Sequence, residues 1–512
     1  MKTTPLPALL LALIFHRRLV VVVDSLPLAD QIDSLPLYGP PPTPQFSGYL
    51  NGTNGCRDDS CYLHYWFVTA STNSDDDDDW TQRPVVLWLN GGPGASSLVG
   101  LVQELGPLLL TTDTNHKIHF VENPYAWTNY ANLLVLESPV GVGFSYCGRM
   151  LEDTDNDDDQ FPSCQDVTDD STAAVALAAL LDFFTKFPEV QSNEVFLTGE
   201  SYAGVYVPLL ANAIVDHNTK KATAVPIPLQ GIAVGDPCTD NAAQAQSRNP
   251  LWYAHKKGLV DDTIYTTLTE DPCNTLAEMA RLQQEHGIDH DEDNSQLFAA
   301  VTASFRNGNP TCRIAWRKFL LASSNGINGH WPQRYIDRYS LYGSVTSTID
   351  DATEAYFQRP DVQAALHVRT DLPDPWKKHA VPAHFHYHKQ YSACNSHAAR
   401  KDRPPPPSMI DIHRSLLPHM RIWIFNGDAD PCVSFEGTRT AVQRIGRREL
   451  YSYRPWFYHA AAASASFVKE QPLTFGADVP LIDAGVQLGG EVTTYEDGLV
   501  FLTVHGAGTC RC

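Results

Sequence analysis

Positive charge is scarce in this 512-residue chain: 37 lysines and arginines stand against 59 aspartates and glutamates, for a formal net charge of -22. That deficit argues against a nucleic-acid partner, whose phosphates call for a basic face. Long apolar runs are also scarce. Outside the N-terminus no stretch approaches the ~18 residues that a spanning helix needs, so no stable membrane insertion is expected. Cysteine pairs with zinc spacing are lacking apart from terminal and loop cysteines, and structural zinc is not expected. The acidic runs 75-DDDDD-79 and 151-LEDTDNDDDQ-160 read as solvated loops, since the second has neither the glycine turn nor the terminal glutamate of a calcium loop. No internal repeat is present, and no metal or cofactor is expected.

What is present begins with Lys2, an apolar stretch PLPALLLALIF, the basic interruption His16-Arg17-Arg18 and a second stretch LVVVV. Residues 1–25 are read as a secretory signal peptide, with a short anchor as the alternative. Eleven cysteines suit an oxidising compartment and a partial disulfide framework. Cys147 and Cys164 bracket the acidic run and Cys56 and Cys61 a hairpin, so each pair can close a loop. Asn51 opens an Asn-Gly-Thr sequon in a glycine-rich turn and is a glycosylation candidate.

Strand texture at 62-YLHYWFVTA-70, 84-PVVLWLN-90, 132-NLLVLESP-139 and 194-EVFLTG-199 alternates with turns and helices, the rhythm of a parallel α/β sheet. The best helix is 171–187, with Asp169 or Asp170 as N-cap and Pro188 closing it. The expected layout is a first core part over 26–235, a looser helical insertion over 236–350, and a second core part over 351–512, where strands resume at 421-RIWIFNG-427 and 498-GLVFLTV-504.

The chemistry centres on 199-GESYAG-204, between the strand EVFLT and the helix former VYVPLLANAIV. A serine on a sharp strand-to-helix turn is the nucleophile elbow of α/β-hydrolases: the turn exposes Oγ of Ser201, and the helix N-terminus directs amides at the charge that develops in acyl transfer. Alanine at 203 makes the match GxSxA. Support comes from 88-WLNGGPGASS-97, whose glycines let backbone amides approach an oxyanion. In 427-GDADPC-432 an aspartate after a strand can orient an imidazolium. The triple His384, His386 and His388 reads as a solvated loop.

These motifs, with FSGYL at 46–50, ELGP at 104–107, NPYAWT at 123–128, NLLVLESPVGVGFSY at 132–146, FFTKFPE at 183–189 and TVHGAG at 503–508, resemble the serine carboxypeptidase family over nearly the whole chain. The resemblance implies an α/β-hydrolase fold with a helical cap. It further implies Ser201 as nucleophile, Asp430 as triad aspartate with Asp428 as the fallback, and the amides of Gly92 and Tyr202 as oxyanion hole. Trp88, Asn90, Glu104 and Glu200 would hold the free C-terminal carboxylate of a peptide. The implied partners are peptides and proteins with a free C-terminus, cleaved in acid inside a vacuole or lysosome, or outside the cell.

The pattern breaks at two places. Ala95 stands where the family has a cysteine, and the region of its expected partner, 340–355, also lacks one, which is coherent for a chain without that bridge. Thr509 stands where the family has its triad histidine. Threonine cannot shuttle a proton, and loss of the base costs on the order of a millionfold. His505 lies four residues early, on the strand's end. Two expectations follow: a C-terminal segment replaced by TCRC through a splice or frame error, or a non-catalytic relative that keeps the pocket. Intact upstream motifs favour the first. Acyl transfer to a small alcohol or amine is a third function compatible with the scaffold.

Overall fold

The computed structural model describes residues 26–371 except 58, 72–78, 114, 153–163, 165–166, 221–224, 246, 248, 287–294 and 324–347, and then 387–388, 390–391, 407–459 and 486–508. The signal segment, most of both acidic runs, His384, His386, most of the proline run 403–407, and Thr509 lie outside the described residues.

An eleven-stranded sheet organises the molecule. Its long strands are β1 (Gln45–Asn51), β2 (Cys61–Val68), β3 (Val85–Leu89), β4 (Asn132–Leu136), β5 (Val195–Glu200), β6 (Leu229–Gly235), β7 (Arg421–Gly427), β8 (Glu449–His459), β9 (Val486–Tyr495) and β10 (Leu499–Val504). The spatial order is β1-β2-β4-β3-β5-β6-β7-β10-β9-β8. The six central strands run parallel, and the outer strands on both sides are antiparallel. Strand order reverses beside β3 and β5, and at such a switch point the carboxyl ends of parallel strands open a crevice.

The central strands are near-continuous apolar runs because both faces are covered. Leu87, Leu89, Leu134, Leu136, Val195 and Leu197 join one buried cluster with helices α1 (Asp169–Lys186) and α2 (Ala203–Thr219). Helix α1 begins two residues ahead of the sequence expectation, and its N-cap is Thr168, in place of Asp169 or Asp170. The Thr168 hydroxyl accepts the Ser171 amide at 3.2 Å while Ser171 Oγ accepts the Thr168 amide at 2.8 Å, a reciprocal box that satisfies two otherwise unpaired donors. The two aspartates then lie in the first turn, where their charge favours the helix dipole.

Between β6 and β7 the helices Pro250–Lys256, Asp262–Thr269, Thr275–His286, Ser295–Asn307 and Pro310–Ser323 carry an apolar cluster of their own around Phe305, Trp316 and Phe319. A disulfide between Cys273 and Cys312 staples it. Cys56–Cys61 and Cys147–Cys164 are also bridged. Cys432 is disulfide-bonded as well. Among the described residues no helix is long and apolar enough to cross a membrane.

Candidate active site

Strand β5 delivers Ser201 directly onto α2. Its φ is +57°, a left-handed conformation that costs an L residue on the order of 1 kcal/mol or more. Three backbone bonds hold it there: the Ser201 amide donates to Gly235 O at 2.9 Å, and the Ser201 carbonyl accepts the amides of Gly204 and Cys238, each at 2.9 Å. The flanking residues explain the GxSxA pattern. A Cβ on Gly199 would lie 2.3 Å from Leu89 O and 2.7 Å from the Ala203 methyl, and one on Gly204 would lie 2.5 Å from Cys238 O. Glycine is therefore required at 199 and 204, and a methyl is accommodated at 203.

The glycine loop after β3 lies against this turn. A Cβ on Gly91 would come within 2.4 Å of the Tyr202 amide nitrogen, while Gly92 and Gly94 adopt φ of +104° and +100°, which only glycine takes without strain. The backbones of the glycine loop and the elbow thus meet beside Ser201. Ala95, whose amide donates to Gly91 O at 3.2 Å, closes the loop without a bridge.

Trp88, Asn90 and Glu200 form a buried hydrogen-bonded row. Trp88 Nε1 donates to Asn90 Oδ1 at 2.7 Å, and Asn90 Nδ2 donates to Glu200 Oε1 at 2.9 Å. Asn90 Oδ1 also accepts the Gly100 amide at 3.3 Å, and its own amide donates to Ser97 Oγ at 3.0 Å. With every Asn90 group committed, its amide orientation is set and one Glu200 oxygen is engaged. Glu104 is carried by the helical turn Leu101–Leu105, which continues from the short helix Ser97–Gly100.

The two aspartates after β7 differ sharply. Asp430 is buried, its Oδ1 accepting the amides of Cys432 at 2.6 Å and Val433 at 3.1 Å. Asp428 is turned to the surface, where Oδ2 lies 2.7 Å from His505 Nδ1 and Oδ1 accepts the Gly506 amide at 2.7 Å. His505 is 59% exposed and is engaged with the outer aspartate. After β10 the chain folds back over β7: the Ala429 amide donates to Ala507 O at 2.9 Å, and a Cβ on Gly427 would lie 2.3 Å from that carbonyl. Residues 507–508 are thereby led toward the Asp430 loop.

Two side chains to which the sequence reading gave no place in the site lie beside it. Asp236, directly after β6, is buried, its Oδ1 accepting Asn426 Nδ2 at 2.7 Å and the Gly427 amide at 2.9 Å. Asp169 accepts the hydroxyls of Tyr202 at 3.1 Å and Tyr387 at 2.7 Å, which ties the residue after Ser201 to α1 and to the neighbour of His388. Burial, opposed in part by those two hydroxyls, raises the Asp169 carboxyl above its ordinary range. Asp236 had one signal in the sequence, an aspartate directly after the apolar run 230-QGIAVG-235. Asp169 had none, because its partners are distant in sequence.

A strained serine at a strand-to-helix turn, a glycine loop packed on that turn and a buried post-strand aspartate, set at the carboxyl ends of a parallel sheet, define an α/β-hydrolase. The chain belongs to the serine carboxypeptidase family, whose sequence profile matches residues 36–510. It is 31% identical over 491 residues to Serine carboxypeptidase-like 35 of Arabidopsis thaliana, covering 94% of this chain and 86% of the relative. To the Lysosomal protective protein of Mus musculus it is 31% identical over 481 residues, covering 87% and 88%. The fold is similar to that of Kex1(delta)p, a prohormone-processing carboxypeptidase from Saccharomyces cerevisiae, with a TM-score of 0.57 at 20% identity, over 91% of this chain and 87% of that one.

Proposed function

We propose that the protein is an acid-active serine carboxypeptidase that removes C-terminal residues from peptides through an acyl-enzyme on Ser201. The observation that carries this reading is the row Trp88–Asn90–Glu200, which ends one residue before the nucleophile. In this reading Asn90, Glu104 and Glu200 grip the substrate's terminal carboxylate, and the scissile carbonyl lies between Ser201 Oγ and the amides of Gly92 and Tyr202. Asp430 orients the base. Carboxyls that face a substrate carboxylate repel it unless protons are shared, so binding weakens as pH rises. The disulfides support passage through an oxidising, secretory compartment, with a vacuolar, lysosomal or extracellular destination, and Asn51 is exposed for a glycan.

A second reading, a peptide-binding relative without turnover, is favoured by Thr509 at the family's histidine position and by the engagement of His505 with Asp428. One experiment separates them: the full chain is incubated in acid with a peptide bearing a free C-terminus, and in parallel with a fluorophosphonate that labels reactive serines. Release of single C-terminal residues with labelling at Ser201 would support the first reading and would require a base other than residue 509, which is threonine. Saturable peptide binding with neither release nor labelling would transfer the conclusion to the second reading. Product esters formed in the presence of a small alcohol would identify acyl transfer.

A further inference from the structure

The helix Pro250–Lys256 belongs to the insertion, yet it also reaches the loop that carries Asp430. Its apolar residues Leu251 and Ala254 join the cap cluster around Phe305, Trp316 and Phe319. From the same helix the buried Tyr253 hydroxyl donates to Ala429 O at 3.2 Å, and Lys257 Nζ, one residue past the helix, donates to Asp428 O at 2.6 Å. The Lys257 ammonium lies 5.4 Å from the centre of the Tyr253 ring and 5.5 Å from that of Phe435, the first residue of the helix that follows the loop. Two aromatic faces favour a cation at that point, so the ammonium is kept where the Asp428 carbonyl can accept it.

The other edge of the loop is bound by the segment that ends β10. The Asp428 amide donates to Val504 O at 3.0 Å and the Ala429 amide to Ala507 O at 2.9 Å. The planar peptide between Asp428 and Ala429 thus donates to the β10 side and accepts from the cap, and it cannot rotate without breaking both bonds. Tyr253 holds the carbonyl of the next peptide, the one that leads into Asp430. Removing that hydroxyl takes the donor from an acceptor in a buried setting. Asp430 enters the site directly from this gripped backbone, its Oδ1 on the amides of Cys432 and Val433.

We propose that Tyr253 and Lys257 are positioning residues for Asp430: through the carbonyls of Ala429 and Asp428 the cap fixes the backbone from which the Asp430 side chain enters the site. The helix Pro250–Lys256 then joins two bodies, with one set of residues in the cap's own core and another on the Asp430 loop. The catalytic meaning of these bonds rests on the function proposed above, whereas the coupling of cap to loop does not.

The test uses the full chain with Tyr253→Phe, Lys257→Met and Lys257→Arg. Phenylalanine keeps the ring and methionine the apolar stem, and each removes one donor; arginine restores a cationic donor. Hydrogen–deuterium exchange is read on peptides that span 428–433, with peptides from β5 as the reference. Exchange at 428–433 should rise about fivefold in Tyr253→Phe and in Lys257→Met, the scale of one net hydrogen bond. It should return toward the wild-type rate in Lys257→Arg, and β5 should stay unchanged in all three. No rise at 428–433, or an equal rise in β5, would overturn the proposal. Should one variant fail to fold, the other reads the same loop through the neighbouring carbonyl. Release of C-terminal residues from a peptide in acid reads the role in the site: kcat should fall with KM little changed in the two donor-less variants, and Lys257→Arg should regain it. Equal kcat in all chains would refute that role. Absence of release in every chain, with exchange raised at 428–433, would sink the hydrolase reading and leave the coupling of cap to loop standing.

Discussion

Hydrogen-bond pattern alone does not make a catalytic residue, as a second serine–histidine–carboxylate row in this protein demonstrates. Ser47 Oγ lies 3.1 Å from His64 Nε2, and His64 Nδ1 lies 3.1 Å from Glu137 Oε2. Every member is fully buried. Ser47 Oγ donates to Leu366 O at 2.9 Å, Glu137 accepts the Phe144 amide at 2.8 Å and the Ser96 hydroxyl, and a Cβ on Gly143 would sit 1.6 Å from a Glu137 oxygen. No substrate reaches this row, and its work is to join β1, β2, the loop after β4 and the segment at Leu366. Ser201, by contrast, stands on a strained turn beside the glycine loop. Replacing Glu137 with alanine leaves a buried imidazole, a hydroxyl and an amide without their acceptor. Denaturant titration should show a loss of about 3 kcal/mol or more, far above that of an exposed carboxylate such as Asp262.

At the scale of elements, the site depends on two loops held at near-contact distance. The loop after β3 approaches the elbow so closely that Gly91 admits no side chain without displacing the Tyr202 amide. Gly91→Val should push the loop off the elbow and lower Ser201 labelling by roughly 100-fold, the order seen when one oxyanion donor is lost. Because β3 and α2 each keep their own packing, far-ultraviolet circular dichroism should change little. A variant that unfolds outright, or one that labels at the wild-type rate, would contradict this account of the loop. Helix α1 shows how context decides an end: Thr168 and Ser171 close a reciprocal box, which frees Asp169 to turn inward and anchor Tyr202 through its hydroxyl.

For the whole molecule, pH enters through buried groups as well as through the site. His413 is fully buried on the helix Ile410–Leu416, without a hydrogen-bond partner for either ring nitrogen among the described residues, and burial lowers its pKa to about 4. The unfolded chain binds that proton near the ordinary histidine value, so stability from this residue is full above about pH 6.5 and is lost as pH falls through the folded value. Its cost in acid is up to about 3 kcal/mol. His413→Leu should therefore raise the melting temperature near pH 4 relative to the wild type, with a smaller difference near neutrality; a constant offset across pH would refute the assignment. The sequence by itself determined the α/β-hydrolase class, the sharp strand-to-helix turn at Ser201 and the glycine loop at Gly91–Gly94, because each is a local pattern in which a strand and its turn residues are neighbours along the chain. It did not disclose the hairpin of β8 and β9, whose pairing spans a long interval. It ranked Asp430 over Asp428 only through the resemblance, and the burial that distinguishes the two is a tertiary property. The contacts of Asp236 with Asn426, Asp169 with Tyr202, and Glu137 with His64 were decided by tertiary structure alone, since each joins residues that only the completed sheet and its covering helices bring within reach of one another.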